Sequence, residues 1–286
     1  MNELLPEHII ARIAKIRFSF REVMSGTATG IHRSSHHGQS VEFSEKREYS
    51  PGDDTKNIDW RAYGRTDRLF VKVYEHETEC RCFILIDQSG SMAYGGKILA
   101  AKRAAAAFSY ILLRENDAVS IVKTSEPEPQ VLPPETGGRH MLEVMKFLLA
   151  GEAAGKTLLA GGVKAIEPYL MKRGVIVFFS DLLGDIEALF NELILLKNRG
   201  SKVIICQMLH RDETQFPFDK FTRFVSLETG DDFFIEPSSV RGFYLKKMEM
   251  HLNEIKTRSF ENGMEYFLFF NDTPVEEIIL SIAGKR

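Results

Sequence analysis

The chain has 286 residues, 44% hydrophobic and 27% charged, an ordinary globular composition with room for one large domain or one domain plus an extension. Its 37 basic and 40 acidic side chains leave a formal charge of −3, which offers no electrostatic basis for a nucleic-acid partner or an anionic membrane. No apolar run approaches the roughly 20 residues of a membrane span, and M-N-E-L-L-P-E-H lacks the basic and apolar regions of a signal peptide. The expectation is a soluble, cytoplasmic protein with no membrane span. Cys80 and Cys82 in C-R-C are poorly spaced for a zinc clasp, and Cys206 sits in an apolar run, so all three read as inert thiols.

Residues 6–23 carry Ile9, Ile10, Ile13, Ile16 and Phe20 at helical spacing, which predicts an amphipathic helix docked on the main body. Residues 25–40 are small and polar and read as a loop. Their His32, His36 and His37 have no helix to orient them as metal ligands. Val41–Phe43 and Leu69–Tyr74 alternate like strands, and Pro51-Gly52 between them suits the centre of a type II turn. Asp53, Asp54, Asp59 and Arg61 crowd around the only tryptophan, Trp60. This is either a packed, salt-bridged connection or a surface that meets a partner. Residues 1–79 are expected to form an extension with a helix, a loop and short strands, and residues 80–286 the main domain.

From residue 80 the pattern becomes β-α-β. Phe83–Ile86, Ala118–Lys123, Val175–Phe179, Val203–Leu209 and Glu265–Phe270 read as strands. Helical segments fall over 97–114, 140–149, 158–171, 185–198 and 238–260, with a last one after Pro274; Phe224–Leu227 and Phe233–Ile235 are further short strands. Continuous apolar strands alternating with helices predict an α/β fold: a doubly wound, mostly parallel sheet with helices on both faces.

Three chemistries compete for the polar residues. Ser89 in D-Q-S-G-S lacks the first glycine of a nucleophile elbow, and no histidine is evidently placed as its base. Residues 150–157, A-G-E-A-A-G-K-T, fit a relaxed phosphate loop, which makes a nucleotide-binding ATPase the alternative reading. That loop needs a strand before it, however, and here a helical pattern precedes it. The third chemistry is metal binding by oxygen. Asp87 ends the first strand of the domain, Ser89 and Ser91 follow it, and Thr157 precedes a helix. In a sheet ordered 3-2-1-4-5, Asp181 at the end of the fourth strand arrives beside Asp87 at the switch point. Two carboxylates and three hydroxyls suit Mg²⁺ or Mn²⁺ rather than zinc. Taken alone, D-Q-S-G-S-M is equally an ordinary helix-capping loop.

D-Q-S-G-S, Thr157 in G-K-T-L-L-A-G-G-V-K-A and Asp181 in F-F-S-D resemble the metal-ion-dependent adhesion site of von Willebrand factor A domains, over roughly residues 80–285. G-I-H-R-S at 30–34, G-Q-S-V-E-F at 38–43, R-E-Y-S-P-G-D-D at 47–54 and I-D-W-R-A at 58–62 resemble the bacterial family of unknown function number fifty-eight, with Gly64 a small departure where alanine is expected. The resemblance implies a Rossmann-like fold in which Asp87, Ser89, Ser91, Thr157 and Asp181 hold the metal, directly or through water. A partner's acidic side chain would complete the coordination, with Gln88, Met92, Leu182 and Asp185 on the rim. It also implies a non-enzymatic adaptor that works with a MoxR-type AAA+ ATPase or its client in remodelling or maturation of other proteins. A scaffold with a vestigial metal site is the remaining alternative.

Overall fold

A computed structural model describes residues 4–16, 41–50, 58–76, 81–171, 173–228 and 230–284. Cys80, His32, His36, His37, Pro51-Gly52, Asp53 and Asp54 lie outside the described residues. The chain divides into two compact units, one of residues 1–20 with 81–286 and one of residues 21–80.

Helix α1 (Glu7–Ile13) belongs to the larger unit. Its Ile13 and the preceding Leu4 and Leu5 are buried, and the Arg114 guanidinium donates to the carbonyls of Ala14 and Ile16, both at 2.7 Å. Arg12 pairs with Glu276.

In the smaller unit, β1 (Val41–Glu48) runs antiparallel to β2 (Phe70–His76), with a register slip between Phe43 and Glu45. Helix α2 (Trp60–Thr66) lies between them in sequence. Asp59 caps this helix, its Oδ1 accepting the N–H groups of Arg61 and Ala62 at 3.1 Å each. Such a cap contributes about 1 kcal/mol. Asp59 is buried, whereas Arg61 is exposed and Trp60 is 64% exposed with Tyr63 edge-on to its ring. The motif thus joins a structural cap to a surface aromatic.

The larger unit is built on six strands, β3 (Arg81–Asp87), β4 (Ala118–Thr124), β5 (Gln130–Glu135), β6 (Val175–Ser180), β7 (Lys202–Leu209) and β10 (Glu265–Phe270), in the order β10-β7-β6-β3-β4-β5. All pair in parallel except β5, which runs antiparallel to β4. Helices α3 (Lys97–Arg114), α4 (Gly138–Leu149) and α9 (Val275–Ile282) pack together with α1. Helices α5 (Leu159–Ala165), α6 (Ile186–Asn198) and α8 (Pro237–Glu261) contribute Leu159, Leu193 and Ile255 to a core cluster with Phe83, Ile176, Phe178 and Ile205 from the sheet. This is the doubly wound, mostly parallel α/β architecture expected from the apolar runs. The strands read as unbroken hydrophobic stretches because both faces are covered, and Val175–Ser180 is buried throughout. Ala104, Ala105, Ala106 and Ala107, all fully buried, carry no bulk that would hold α3 away from its neighbours. A short helix, α7 (Arg211–Gln215), follows β7, and β8 (Thr222–Val225) with β9 (Asp232–Ile235) forms a separate antiparallel hairpin.

Two of the differences from the sequence reading involve prolines. Strand β5 is missing from it, because Pro133 and Pro134 argue against a strand; they are accommodated because β5 is the sheet edge, where the missing N–H groups break no ladder on the open side. The helix predicted over 158–171 covers only Leu159–Ala165 and is followed by a 3₁₀ turn, Glu167–Tyr169, that contains Pro168. Cys82 and Cys206 are buried, and burial pushes the Cys206 thiol well above its ordinary range.

Candidate metal centre

Strand order decides what meets at the carboxyl ends of the sheet. Strands β3 and β6 are parallel neighbours with Ile86 opposite Phe179, so Asp87 and the pair Ser180-Asp181 leave the sheet side by side. The chain winds outward from these two strands in opposite directions, which makes the gap between their ends the switch point where ligands bind in such sheets.

Asp87 is the hub. Its Oδ1 accepts the Ser89 N–H and the Thr157 hydroxyl, both at 3.0 Å, and its Oδ2 accepts the Ser180 hydroxyl at 2.6 Å. The Ser89 and Ser91 hydroxyl oxygens lie 3.1 Å apart. Thr157 arrives on a loop whose backbone is tied to the loop after β3. Gly90 N–H donates to the Gly155 carbonyl and Ala154 N–H to the Gln88 carbonyl, each at 2.9 Å, and Glu126 N–H donates to the Lys156 carbonyl at 3.1 Å. Asp181 is fixed from three sides. The Lys97 ammonium reaches its Oδ2 at 2.8 Å, Leu183 N–H reaches its Oδ1 at 3.3 Å, and Gln207 Nε2 donates to its carbonyl at 2.8 Å. Lys97 also meets Glu213 at 2.6 Å.

The donor set is all oxygen, and its charge is uncompensated at Asp87. That side chain is fully buried, and among the described residues its hydrogen-bond donors are neutral. Desolvation, then the nearby charge of Asp181, raises its pKa from 3.8 to about 6, against the lowering effect of bonds from Ser180 and Ser89. Carboxylates beside hydroxyls are the oxygen donors that hard cations take.

A pH dependence follows for the metal-free chain. Folded Asp87 holds its proton to higher pH than unfolded Asp87. Its contribution is therefore most favourable below about pH 4 and is lost as pH rises to about 6, a change on the order of 3 kcal/mol. In EDTA, the stability of the wild type relative to Asp87→Asn should fall by that order between pH 4 and 7 in urea titrations; a flat difference would show that Asp87 carries no buried charge.

The side chains expected on the rim are placed differently. Gln88, Met92 and Leu182 are buried, at 4%, 0% and 0% exposure, so they offer no exposed rim to a partner. Leu182 turns inward because its backbone is left-handed, with φ 59°, which carries the side chain into the core cluster that includes Leu159 and Leu189. Asp185 is exposed but caps α6, accepting the Ala188 N–H at 2.9 Å. The exposed apolar side chain on this loop is Leu183. Ser180, Lys97 and Glu213 were not singled out by sequence reasoning. Ser180 carried a signal, a serine closing an otherwise apolar strand just before Asp181. Lys97 and Glu213 carried none, because nothing in their spacing relates them.

A family model described as "Protein of unknown function DUF58" matches residues 45–254, well over half of the chain. The chain belongs to the DUF58 family. Uncharacterized proteins of Mycobacterium tuberculosis and Mycobacterium bovis are 25% identical to this DUF58 chain over 185 residues, 62% of its length. The match spans 58% of the length of those relatives. Among solved structures, BatB from Bacteroides thetaiotaomicron is similar at 14% identity and a TM-score of 0.46, covering 72% of this chain and 100% of that one. The SpRpn10 VWA domain is similar at 13% identity and a TM-score of 0.45, covering 73% and 98%.

In the DUF58 chain, the loop that resembles a phosphate site follows helix α4, so no strand–loop–helix unit forms there. One of its N–H groups, that of Ala154, is already donated to the Gln88 carbonyl in the loop after β3. A different cluster, Glu135, His140 and Glu143, brings its ligand atoms within 4.8 Å of one another and can hold a metal ion. The His140 Nε2 lies 2.7 Å from the Val119 carbonyl, leaving Nδ1 toward the two glutamates. Among the described residues no helix is long and apolar enough to cross a membrane.

Proposed function

We propose that this DUF58 protein is a non-enzymatic, Mg²⁺- or Mn²⁺-dependent protein-interaction module of the cytoplasm. In this reading it works as an adaptor with a MoxR-type AAA+ ATPase, or with that ATPase's client, in chaperone-like remodelling or maturation. Residues 80–286 form the interaction domain and residues 1–79 a family-specific extension. The observation that carries the reading is the convergence of Asp87, Ser89, Ser91 and Thr157 in one hydrogen-bonded cluster beside Asp181.

Neutral hydroxyl ligands leave a bound cation electron-poor, so a coordination position open to the surface attracts a partner's carboxylate. Asp87 and Asp181 supply the charge that retains the ion, and Ser89, Ser91 and Thr157 supply the neutral oxygens. The β8–β9 hairpin supports a protein partner: Phe221 beside it and Val225, Phe233 and Phe234 on it are all exposed, as apolar contact surfaces are. The ATPase assignment rests on the family resemblance.

Affinity capture from the cells that produce the protein, in Mg²⁺ and in EDTA, tests the reading. An AAA+ ATPase or its client should be recovered in Mg²⁺ by the wild type, and by neither the EDTA sample nor Asp87→Asn. The same proteins recovered in EDTA would favour a scaffold with a vestigial site. Nucleotide binding that depends on Lys156 would favour the ATPase alternative.

A further inference from the structure

The turn of the β8–β9 hairpin comes down on the loop after β3. A Cβ placed on Gly90 would lie 2.1 Å from the Leu227 carbonyl oxygen and 3.3 Å from the Glu228 nitrogen, so this backbone is seated on the residue between the two serines. Glycine at position 90 is what permits the approach, since any other side chain would push the turn away. The next residue in the turn is Glu228, which lies close enough to Ser91, Asp181 and Lys156 for all three to act on its carboxylate.

The hairpin is anchored at its base and exposed at its tip. Phe224 of β8 sits in an aromatic cluster with Phe216 and Phe218, at 5.7 and 5.2 Å between ring centres, and Arg223 pairs with Asp232 at 2.7 Å. The turn closes through Ser226 N–H to the Asp231 carbonyl at 2.7 Å, while Val225 and Leu227 remain about half exposed.

We propose that Glu228 is an internal ligand of the metal centre, a carboxylate of this chain's own that takes the position a partner's acidic side chain would otherwise take. A partner then exchanges one carboxylate for another and must lift the hairpin tip from Gly90. The exchange leaves the charge at the site unchanged, so selectivity comes from what the partner does with the lifted tip. Only a partner that binds the displaced hairpin, as well as the ion, shifts the balance.

The inference rests on the metal reading and can fail separately from it. Mn²⁺ titrations of the full chain, followed by the electron paramagnetic resonance of the free ion, give affinity; water-proton relaxation gives the number of exchangeable waters on the bound ion. Wild type should bind Mn²⁺, and Glu228→Ala should bind it about tenfold more weakly with one further exchangeable water. Glu228→Gln, which keeps the length and loses the charge, should shift affinity in the same direction. A Glu228→Ala variant that binds Mn²⁺ with the wild-type water number overturns the internal ligand and leaves the metal centre standing. A wild-type chain that takes up no Mn²⁺ overturns both.

Discussion

Mg²⁺ is expected to raise the unfolding midpoint of the wild-type chain and to leave that of Asp87→Asn unmoved. A ligand that binds only the folded state stabilises it by about 2.7 kcal/mol at a hundredfold excess over its dissociation constant. The Asp87 carboxylate receives the Ser89 N–H and the hydroxyls of Thr157 and Ser180, so it would orient the groups around a bound ion as well as supply charge. Asparagine keeps the shape. Its oxygen can accept from Ser89 and Thr157, and its NH₂ can face Ser180, whose hydroxyl can turn to accept. The fold therefore survives while the charge is lost. In EDTA at pH 7 the variant should be the more stable of the two, because the wild type then carries a buried, uncompensated carboxylate next to Asp181. Thermal scans of both chains with Mg²⁺ and with EDTA make the check. An Mg²⁺ shift that persists in Asp87→Asn would remove Asp87 from the metal centre.

Lys97→Met should destabilise the metal-free chain by roughly 3–5 kcal/mol, the cost of stripping one partner from a buried ion pair. The Lys97 ammonium is fully buried and sits 2.8 Å from Asp181 and 2.6 Å from Glu213, which are 1% and 13% exposed. Methionine fills much the same volume, so the loss is electrostatic: two carboxylates remain with no cation between them. Mg²⁺ should restore part of the loss, since an ion on Asp181 answers the same charge from its other side. Urea midpoints in EDTA and in Mg²⁺, for Lys97→Met alone and combined with Asp181→Asn, separate the terms. If the double variant is no more stable than Lys97→Met, the Lys97–Asp181 pair is not the source of the cost.

These two residues mark the boundary between what can be read in the chain and what cannot. Asp87, Ser89 and Ser91 lie within five residues at the end of an apolar run, so a local reading finds them. Thr157 and Asp181 join them because a doubly wound sheet has a switch point, a rule about order that the β-α-β pattern already implies. Lys97 belongs to the same site but sits in the first turn of a helix whose pattern says only that it is buried on one face. Glu213 and Glu228 lie outside the elements read from the sequence, and neither has a spacing relation to Asp87, Thr157 or Asp181. Met92 and Leu182 show the converse: their positions next to Ser91 and Asp181 suggest a rim, but φ 59° at Leu182 and a 3₁₀ turn at Met92 send both side chains inward.

The sequence by itself determined the α/β class and the apolar strands, and it offered the candidate oxygen donors, because burial on both sheet faces and the chemistry of side-chain oxygens are written residue by residue. The tertiary structure alone decided the rest. Strand β5, with its two prolines, is a strand only because β4 offers it an edge. Lys97 meets Asp181 only because the first turn of α3 faces the end of β6. The Leu227–Glu228 turn sits on Gly90 only because the β8–β9 hairpin folds back over the carboxyl ends of the sheet. Such meetings depend on how elements cross in space, and no local pattern of residues encodes that.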